Sequence, residues 1–177
     1  MLVGASLGLL AWPSTTASAV PAACASPEIR IYKRQGELEL WCGGALSRTL
    51  PATFGASPVG PKEREGDEKT PEGTYRISAK TTSERFHRFL AVSYPNANDL
   101  KNATAKGIAS PGGGIGIHGV RADLAGPARA WTRFARTTGL AGVWGPTDGC
   151  IGLVNEDVEA LYAAVPVGTR VVIAASR

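Results

Sequence analysis

Two scarce residue types, cysteine and histidine, carry the candidate chemistry of this chain. Cys150 follows Gly149 at a predicted tight turn, which exposes the sulfur and leaves several backbone N–H groups beside it as a possible oxyanion hole. A thiol with an ordinary pKa of about 8.5 is mostly protonated at neutral pH, so a nucleophilic cysteine needs a base. Of the two histidines, His118 ends an apolar strand, whereas His87 lies among charged residues. The pattern therefore predicts acyl transfer by Cys150 with His118 as its base.

Hydrophobic patterning predicts the elements that position these residues. Alternation and short apolar runs predict strands over residues 29–33, 37–41, 50–55, 74–78, 89–94, 115–118 and 170–174, with a hairpin turn at Gln35-Gly36. Two helices are predicted, one over residues 127–138 and one that is N-capped by Asn155 and stops at Pro166. The polar, turn-rich residues 57–73 are expected to form a solvated loop. The sum is a mainly β domain with a few helices (α+β), without repeats or an interdomain linker.

Length and composition exclude several functional classes. The chain has 177 residues, 44% hydrophobic and 19% charged, which supports one ordinary globular core. Its 19 basic and 15 acidic residues give a net charge of +4 and are scattered, so nucleic-acid binding is not predicted. The glycines at 112–114 lead into a strand, whereas a phosphate-binding loop leads into a helix. The cysteines and histidines lack metal-ligand spacing, so a structural zinc site is not expected. Neither a metal nor an organic cofactor is expected for the chemistry, since the protein itself supplies the predicted nucleophile, base and oxyanion donors.

The first residues predict export. Residues 1–19 carry no charge and contain a short apolar run that ends in the small-x-small sequence Ala17-Ser18-Ala19. We therefore predict a signal peptide over residues 1–19, a short linker over 20–28 and a folded domain over 29–177. The apolar run is too short to span a membrane. The expected location is the periplasm or cell envelope, with no transmembrane segment in the mature chain.

Export also changes what the three cysteines indicate. In an oxidising compartment Cys24 and Cys42 can form a disulfide, which leaves Cys150 as the odd thiol. Two alternatives stay open: all three cysteines are reduced and buried as small hydrophobic residues, or Cys24 carries a lipid. A thiol-redox function is disfavoured because Cys150 has no neighbouring resolving cysteine.

Five motifs occur along the chain in a fixed order. They are Gly60-Pro61-Lys62, the stretch from Gly66 to Tyr75, Ser93-Tyr94-Pro95-Asn96, Ile115-Gly116-Ile117-His118-Gly119 and Thr147-Asp148-Gly149-Cys150-Ile151. Together they resemble the YkuD-type L,D-transpeptidase family of bacterial cell-wall enzymes, most of all the subgroup with a Trp-Thr-x-Gly-Cys-Ile type of motif. The resemblance covers most of the mature chain, from about residue 29 to residue 173. Asp148 stands where many members have His, and Gly152 stands where many have Arg.

The resemblance implies a single catalytic domain with a β-sandwich-like core and gives roles to individual residues. Cys150 would be the nucleophile, His118 the proton acceptor and donor, and the Gly119 backbone carbonyl the group that orients the imidazole. The backbone N–H groups of Asp148, Gly149 and Cys150 would hold the oxyanion. The residues expected to contact substrate are Thr70, Arg121, Thr147 and Gly152.

The implied reaction is a ping-pong acyl transfer on peptidoglycan. Cys150 attacks the carbonyl of the L-centre of meso-diaminopimelate in a tetrapeptide stem, D-alanine leaves, and an acceptor amine resolves the thioester. The implied partners are peptidoglycan tetrapeptide stems and, from the subgroup, a wall-attached lipoprotein. Two other functions stay open: an amidase or carboxypeptidase in which water resolves the acyl-enzyme, and a catalytically silent peptidoglycan-binding module.

Overall fold

The structure is a computed structural model that describes residues 24–122 and 146–177. The predicted signal peptide at 1–19 and the predicted helix at 127–138 lie outside these residues. The described residues form eight strands and two α-helices. In chain order these are β1 (Glu28–Tyr32), β2 (Glu37–Cys42), β3 (Ala45–Pro51), β4 (Gly73–Ser83), β5 (His87–Val92), α1 (Ala97–Ala105), β6 (Gly116–His118), β7 (Ile151–Gly152), α2 (Asn155–Ala164) and β8 (Arg170–Ala174).

One mixed sheet carries the fold, in the strand order β3-β2-β1-β8-β4-β5-β6-β7. β8 pairs in parallel with β1 and antiparallel with β4. The first residues of β4 pair with β8, and after a register shift between Ile77 and Ala79 its later residues pair with β5. Such an irregularity bends a strand, so the sheet curls at β4. Past β3, two isolated bridges, Thr53 with Gly152 and Gly55 with Thr147, join the chain to β7 and the residues before it.

The alternating apolar residues of the central strands fill one core. Ile29 and Ile31 of β1, Leu90 of β5 and Val171 of β8 are completely buried, and a single hydrophobic cluster takes residues from both halves of the curled sheet. Helix α2 packs against β5 and β6 through its own buried apolar residues. The prediction of a mainly β, α+β domain is confirmed.

One predicted strand was misplaced, and one helix was not predicted. The third strand occupies Ala45–Pro51, not residues 50–55, because β3 lies at the sheet edge with most side chains exposed and so lacks an apolar alternation. Helix α1 is not predicted by hydrophobic periodicity, since Ala103 is its one buried residue. Its N-terminus is instead fixed by a capping box between Asn96 and Asp99.

Residues 57–73, here called the 57–73 loop, are packed and not simply solvated. Lys62 is buried and its Nζ lies 2.8 Å from Asp67 Oδ1. Lys33, in the turn after β1, is also buried, and its Nζ lies 2.8 Å from Glu72 Oε1. Buried charges are stable in proteins when they are paired, and the two ion pairs explain how so polar a segment packs against the sheet.

A disulfide joins Cys24 to Cys42, with 18 residues of separation and a Cα–Cα distance of 5.2 Å. This is the pairing expected for an oxidising compartment, and it ties the chain before β1 to the end of β2. Cys150 is a free thiol. Of the helices in the described ranges, none is long and apolar enough to cross a membrane.

Candidate active site

The strand register places His118 and Cys150 on the same face of the sheet. His118 ends β6, and Cys150 comes immediately before β7. These strands are parallel, with Ile117 opposite Ile151 and His118 opposite Gly152. Because side chains alternate along a strand, Cys150 lies on the face of Gly152 and therefore on the face of His118. The fold thus brings the predicted nucleophile and the predicted base to neighbouring positions.

The His118 ring is held by one hydrogen bond and two aromatic contacts. Its Nδ1 lies 2.7 Å from the Gly119 carbonyl oxygen. A carbonyl oxygen only accepts, so we assign the ring proton to Nδ1, which leaves the lone pair on Nε2. The ring centroid lies 4.3 Å from that of Phe86 and 6.0 Å from that of Phe89, with 3% of the residue exposed. The imidazole therefore has a fixed orientation, and no described residue is hydrogen-bonded to its acceptor nitrogen, Nε2.

Burial keeps this imidazole neutral. Removal from water lowers the pKa of His118, the nearby Arg85 lowers it further, and the Gly119 carbonyl opposes both by favouring the protonated ring. The net pKa lies below the ordinary histidine value, so the ring is a base at neutral pH.

The Cys150 sulfur is also in its neutral form at rest. Burial raises the pKa of the thiol, and the Asp148 carboxylate raises it further. The Gly116 backbone N–H and the Lys62 ammonium act in the opposite direction. The thiol donates to the Gly114 carbonyl oxygen at 3.5 Å, and among the described contacts no hydrogen bond joins it to His118. The sequence did not predict that the Gly116 N–H interacts with the Cys150 sulfur. The one feature of the sequence that points to this region is the run of glycines before β6.

The turn before Cys150 requires glycine and supplies two free N–H groups. Gly149 has φ +128°, and a Cβ there would lie 2.6 Å from the Lys69 carbonyl oxygen. Thr147 braces the turn: its Oγ1 accepts from the Gly149 N–H at 3.1 Å and donates to the Cys150 carbonyl at 2.7 Å. The N–H groups of Asp148 and Cys150 donate to no acceptor in residues 24–122 and 146–177. Of the three predicted oxyanion donors, Gly149 is therefore already engaged and the other two are open.

Three of the residues predicted to contact substrate make hydrogen bonds within the fold. Thr70 is completely buried, and its Oγ1 accepts from the Gly55 N–H at 3.0 Å. Gly152 lies buried in β7, and its N–H and carbonyl both bond to Thr53 at 2.9 Å. Thr147 holds the cysteine turn, as above. Contact of these three residues with substrate stays a prediction, as does that of Arg121, which lies exposed just after β6.

His87, the other histidine, is engaged elsewhere. Its Nε2 lies 2.8 Å from Glu159 Oε1, and the Glu159 carboxylate also accepts from Arg88 Nε at 2.9 Å. This pairing agrees with the choice of His118 as the base. Within the described ranges, no three His, Cys, Asp or Glu side chains lie together in a way that would hold a metal ion.

Comparison with known proteins gives the family and the fold. Residues 26–173 match the family model of the YkuD L,D-transpeptidase catalytic domain. No curated protein sequence matches the chain. A similar solved structure is an L,D-transpeptidase from Xylanimonas cellulosilytica, with 15% identity and a TM-score of 0.55 over 88% of this chain and 63% of that chain. Another is the helical cell shape determining protein Pgp2 from Campylobacter jejuni, with 22% identity and a TM-score of 0.60 over 86% of this chain and 48% of that chain. A third is an L,D-transpeptidase from Mycobacterium smegmatis, with 16% identity and a TM-score of 0.53 over 85% of this chain and 59% of that chain.

The chain covers between 48% and 63% of the length of these three proteins. At such low sequence identity, the similarity to these solved structures establishes the fold alone. Membership of the family is established by the family model, which matches most of the chain. This protein belongs to the YkuD family of L,D-transpeptidase catalytic domains.

Proposed function

We propose that this protein is an exported L,D-transpeptidase, a cysteine acyltransferase that acts on peptidoglycan stem peptides. One observation supports the proposal: His118, at the end of β6, and Cys150, just before the adjacent β7, lie on the same face of the sheet, with Nδ1 of the imidazole bonded to Gly119 and no described residue bonded to Nε2. A nucleophile, a base and two unoccupied N–H donors are the parts that acyl transfer through a thioester requires. Family membership supports peptidoglycan as the substrate, and the predicted signal peptide supports the cell envelope as the location.

The first half-reaction forms the thioester. Cys150 leaves its Gly114 contact, gives its proton to Nε2 of His118 and attacks the amide carbonyl at the L-centre of diaminopimelate. The N–H groups of Asp148 and Cys150 stabilise the oxyanion that develops. The carbon–nitrogen bond then breaks, and His118 returns the proton to the amine of D-alanine as it leaves.

The second half-reaction transfers the acyl group. An acceptor amine attacks the thioester, His118 takes its proton, and the Cys150 sulfur departs and is reprotonated. Because burial keeps both side chains neutral at rest, charge separates only when the substrate carbonyl is in place. The N–H donors then act in a site from which water has been excluded, where electrostatic stabilisation is stronger.

Carbapenem acylation followed by intact-mass and peptide-mapping measurements tests the nucleophile. We expect one adduct per chain, mapped to Cys150 and absent from Cys150→Ala. The variant His118→Ala should acylate at least about 100-fold more slowly, since general acid–base catalysis contributes on the order of 10²–10⁴. His87→Ala is the matched control and should acylate at the wild-type rate.

Incubation with muropeptides then identifies the reaction. Cross-linked dimers that disappear in Cys150→Ala support the transpeptidase. Loss of D-alanine without dimers shows that water resolves the acyl-enzyme, which makes the protein a hydrolase. Failure of the wild-type protein to form any adduct or product would leave a binding module and overturn the proposal.

A further inference from the structure

One peptide group beside the site is hydrogen-bonded at both ends. The peptide that joins Gly119 to Val120 contains the Gly119 carbonyl and the Val120 N–H. Its oxygen lies 2.7 Å from Nδ1 of His118, and its N–H donates to Oδ1 of Asn155 at 2.8 Å. Because the carbonyl and N–H of a peptide are conjugated in one plane, the two bonds form a continuous relay from the imidazole to the Asn155 amide.

Asn155 is used for this contact and not for capping its helix. It is the first residue of α2, where the cap position belongs to Val154 and no side-chain cap bond is present. The prediction of Asn155 as an N-cap was therefore wrong. A Cβ on Gly119 would lie 2.6 Å from Asn155 Oδ1 and 2.9 Å from the Phe86 carbonyl oxygen, so the amide is packed against the peptide it binds.

We propose that Asn155 is a positioning residue that sets the orientation and proton affinity of His118 through the Gly119–Val120 peptide. An acceptor on the N–H polarises the peptide and makes its carbonyl oxygen a stronger acceptor, because linked hydrogen bonds reinforce one another. The stronger acceptor favours the Nδ1–H tautomer and stabilises the imidazolium that forms during the reaction. The same bond fixes the plane of the peptide and with it the angle of the ring. This inference rests on the proposed function, since it treats His118 as the catalytic base.

The charges around His118 do not change when Asn155 is replaced by another neutral residue. Arg85, in the turn between β4 and β5, lowers the pKa of His118. The remaining charged or titratable groups on the described elements packed against it are Glu84 in that turn, His87 and Arg88 on β5, Glu156, Asp157, Glu159 and Tyr162 on α2, and Asp148 and Cys150 before β7. Asn155→Ala leaves all of them in place, so a changed His118 titration in that variant reports on the relay.

The test is a ¹⁵N NMR titration of histidine-labelled protein, in which tautomer and pKa are read from the ring nitrogens. With only two histidines in the chain, His87 is an internal reference. Asn155→Ala should lower the pKa of His118 and populate its Nε2–H tautomer. Asn155→Asp should raise the pKa and keep the Nδ1–H tautomer, because a carboxylate accepts more strongly. Asn98→Asp, the same change in the first turn of α1, is the matched control and should move neither quantity.

The kinetic counterpart is the rate of carbapenem acylation. Asn155→Ala should lower the rate about tenfold and Asn155→Asp should restore most of it, with the acid limb of the pH profile moving in the direction of the pKa measured by NMR. A merely structural role would lower the stability of Asn155→Ala without lowering the pKa of His118 or changing its tautomer. That neutral variant decides between the two roles, because the charge added in Asn155→Asp raises the pKa in either case. If Asn155→Ala does not fold, Asn155→Ser, which keeps a shorter oxygen, and Asn155→Asp carry the comparison.

His118 signals that stay unchanged, or that move in the same direction in the alanine and aspartate variants, would overturn the inference. The NMR measurement needs no substrate. If wild-type protein forms no Cys150 adduct, the proposed function fails, while the titration still decides whether Asn155 controls His118.

Discussion

At the scale of single residues, burial sets the reactivity of the site. It lowers the pKa of His118 and raises the pKa of Cys150, so the favoured pair at neutral pH is imidazole and thiol, without charge. Each group is hydrogen-bonded to a backbone carbonyl oxygen, the His118 ring to that of Gly119 and the Cys150 sulfur to that of Gly114. The thiol therefore has little thiolate with which to attack small electrophiles before a substrate is aligned.

Alkylation by iodoacetamide measures this directly. Because only the thiolate reacts, the rate for Cys150 should rise with pH through a midpoint above the ordinary thiol value of about 8.5. Cys150→Ala gives the background, as the other two cysteines are joined in a disulfide. A midpoint near 7 or lower would instead indicate a preformed thiolate–imidazolium pair and contradict the neutral resting state.

The sequence predicts residues of this site only where the side-chain type is informative. Cys150 and His118 are readable because the chain has three cysteines and two histidines. The Gly116 N–H cannot be predicted in this way, because every residue type except proline has the same backbone donor. The contact of the Asn155 amide cannot be predicted either, because an asparagine at a helix start is typical of a cap. The strand register that places the predicted nucleophile and the predicted base on one face of the sheet is known only from the structure.

At the scale of elements, the 57–73 loop is the support behind the cysteine turn. Asp67 accepts from Lys62 Nζ at 2.8 Å and from the N–H of Lys69 at 3.1 Å. The Lys69 carbonyl oxygen in turn packs against Gly149, since a Cβ on residue 149 would lie 2.6 Å from it. Mixed charges in a sequence look alike whether they are solvated or paired, which is why the loop was predicted as solvated.

Asp67→Asn should weaken the fold in a pH-dependent way. Burial raises the pKa of this carboxyl, but the Lys62 ammonium and three backbone N–H donors outweigh it and lower the pKa from 3.8 to about 2. A lowered carboxyl pKa stabilises the folded state by about 2 kcal/mol above about pH 4, and this contribution disappears as the pH falls through about 2. Urea unfolding at about pH 7 should show a loss of up to that size, and the difference should shrink at about pH 3.

Glu65→Gln, an exposed neighbour in the same loop, is the control and should change the free energy of unfolding by less than about 0.5 kcal/mol at either pH. An Asp67→Asn effect that persists undiminished in acid would show that packing of the amide, and not the lost charge, causes the destabilisation.

The strands and helices were predictable in proportion to their burial. The prediction of β8 was correct because Val171 and Ile173 face the core. β3 was misplaced because an edge strand exposes most of its side chains, and α1 was missed because Ala103 alone is buried. Hydrophobic periodicity arises from side chains that are buried in the core. It therefore does not predict elements that are stabilised by pairing at a sheet edge or by a capping box.

At the scale of the whole molecule, the candidate site lies where the segment after β3, the first strand in the sheet order, meets β7, the last strand in that order. The bridges from Thr53 and Gly55 reach Gly152 and Thr147, on either side of Cys150. The disulfide contributes elsewhere: it fastens the chain before β1 to the end of β2. The disulfide and the candidate site therefore involve different parts of the chain.

Removing the disulfide should cost stability without removing activity. For a closed loop of this size, Cys24→Ser/Cys42→Ser should lower the free energy of unfolding by about 3 kcal/mol, largely by freeing the unfolded chain. Carbapenem acylation per folded molecule should stay within about twofold of wild type. Addition of reductant should lower the melting temperature of Cys150→Ala but leave that of the double serine variant unchanged. Equal sensitivity of the two would contradict the assignment.

The place of β8 also determines when this sheet can be completed. β8 lies between β1 and β4, although every other described strand precedes it in the sequence. Until residues 170–174 have been synthesised, the edges of β1 and β4 that β8 will pair with have no partner, and the bridges from Thr53 and Gly55 are the described contacts that can hold the two halves of the sheet together. A growing polypeptide therefore carries Cys150 on an incomplete sheet until β8 is added.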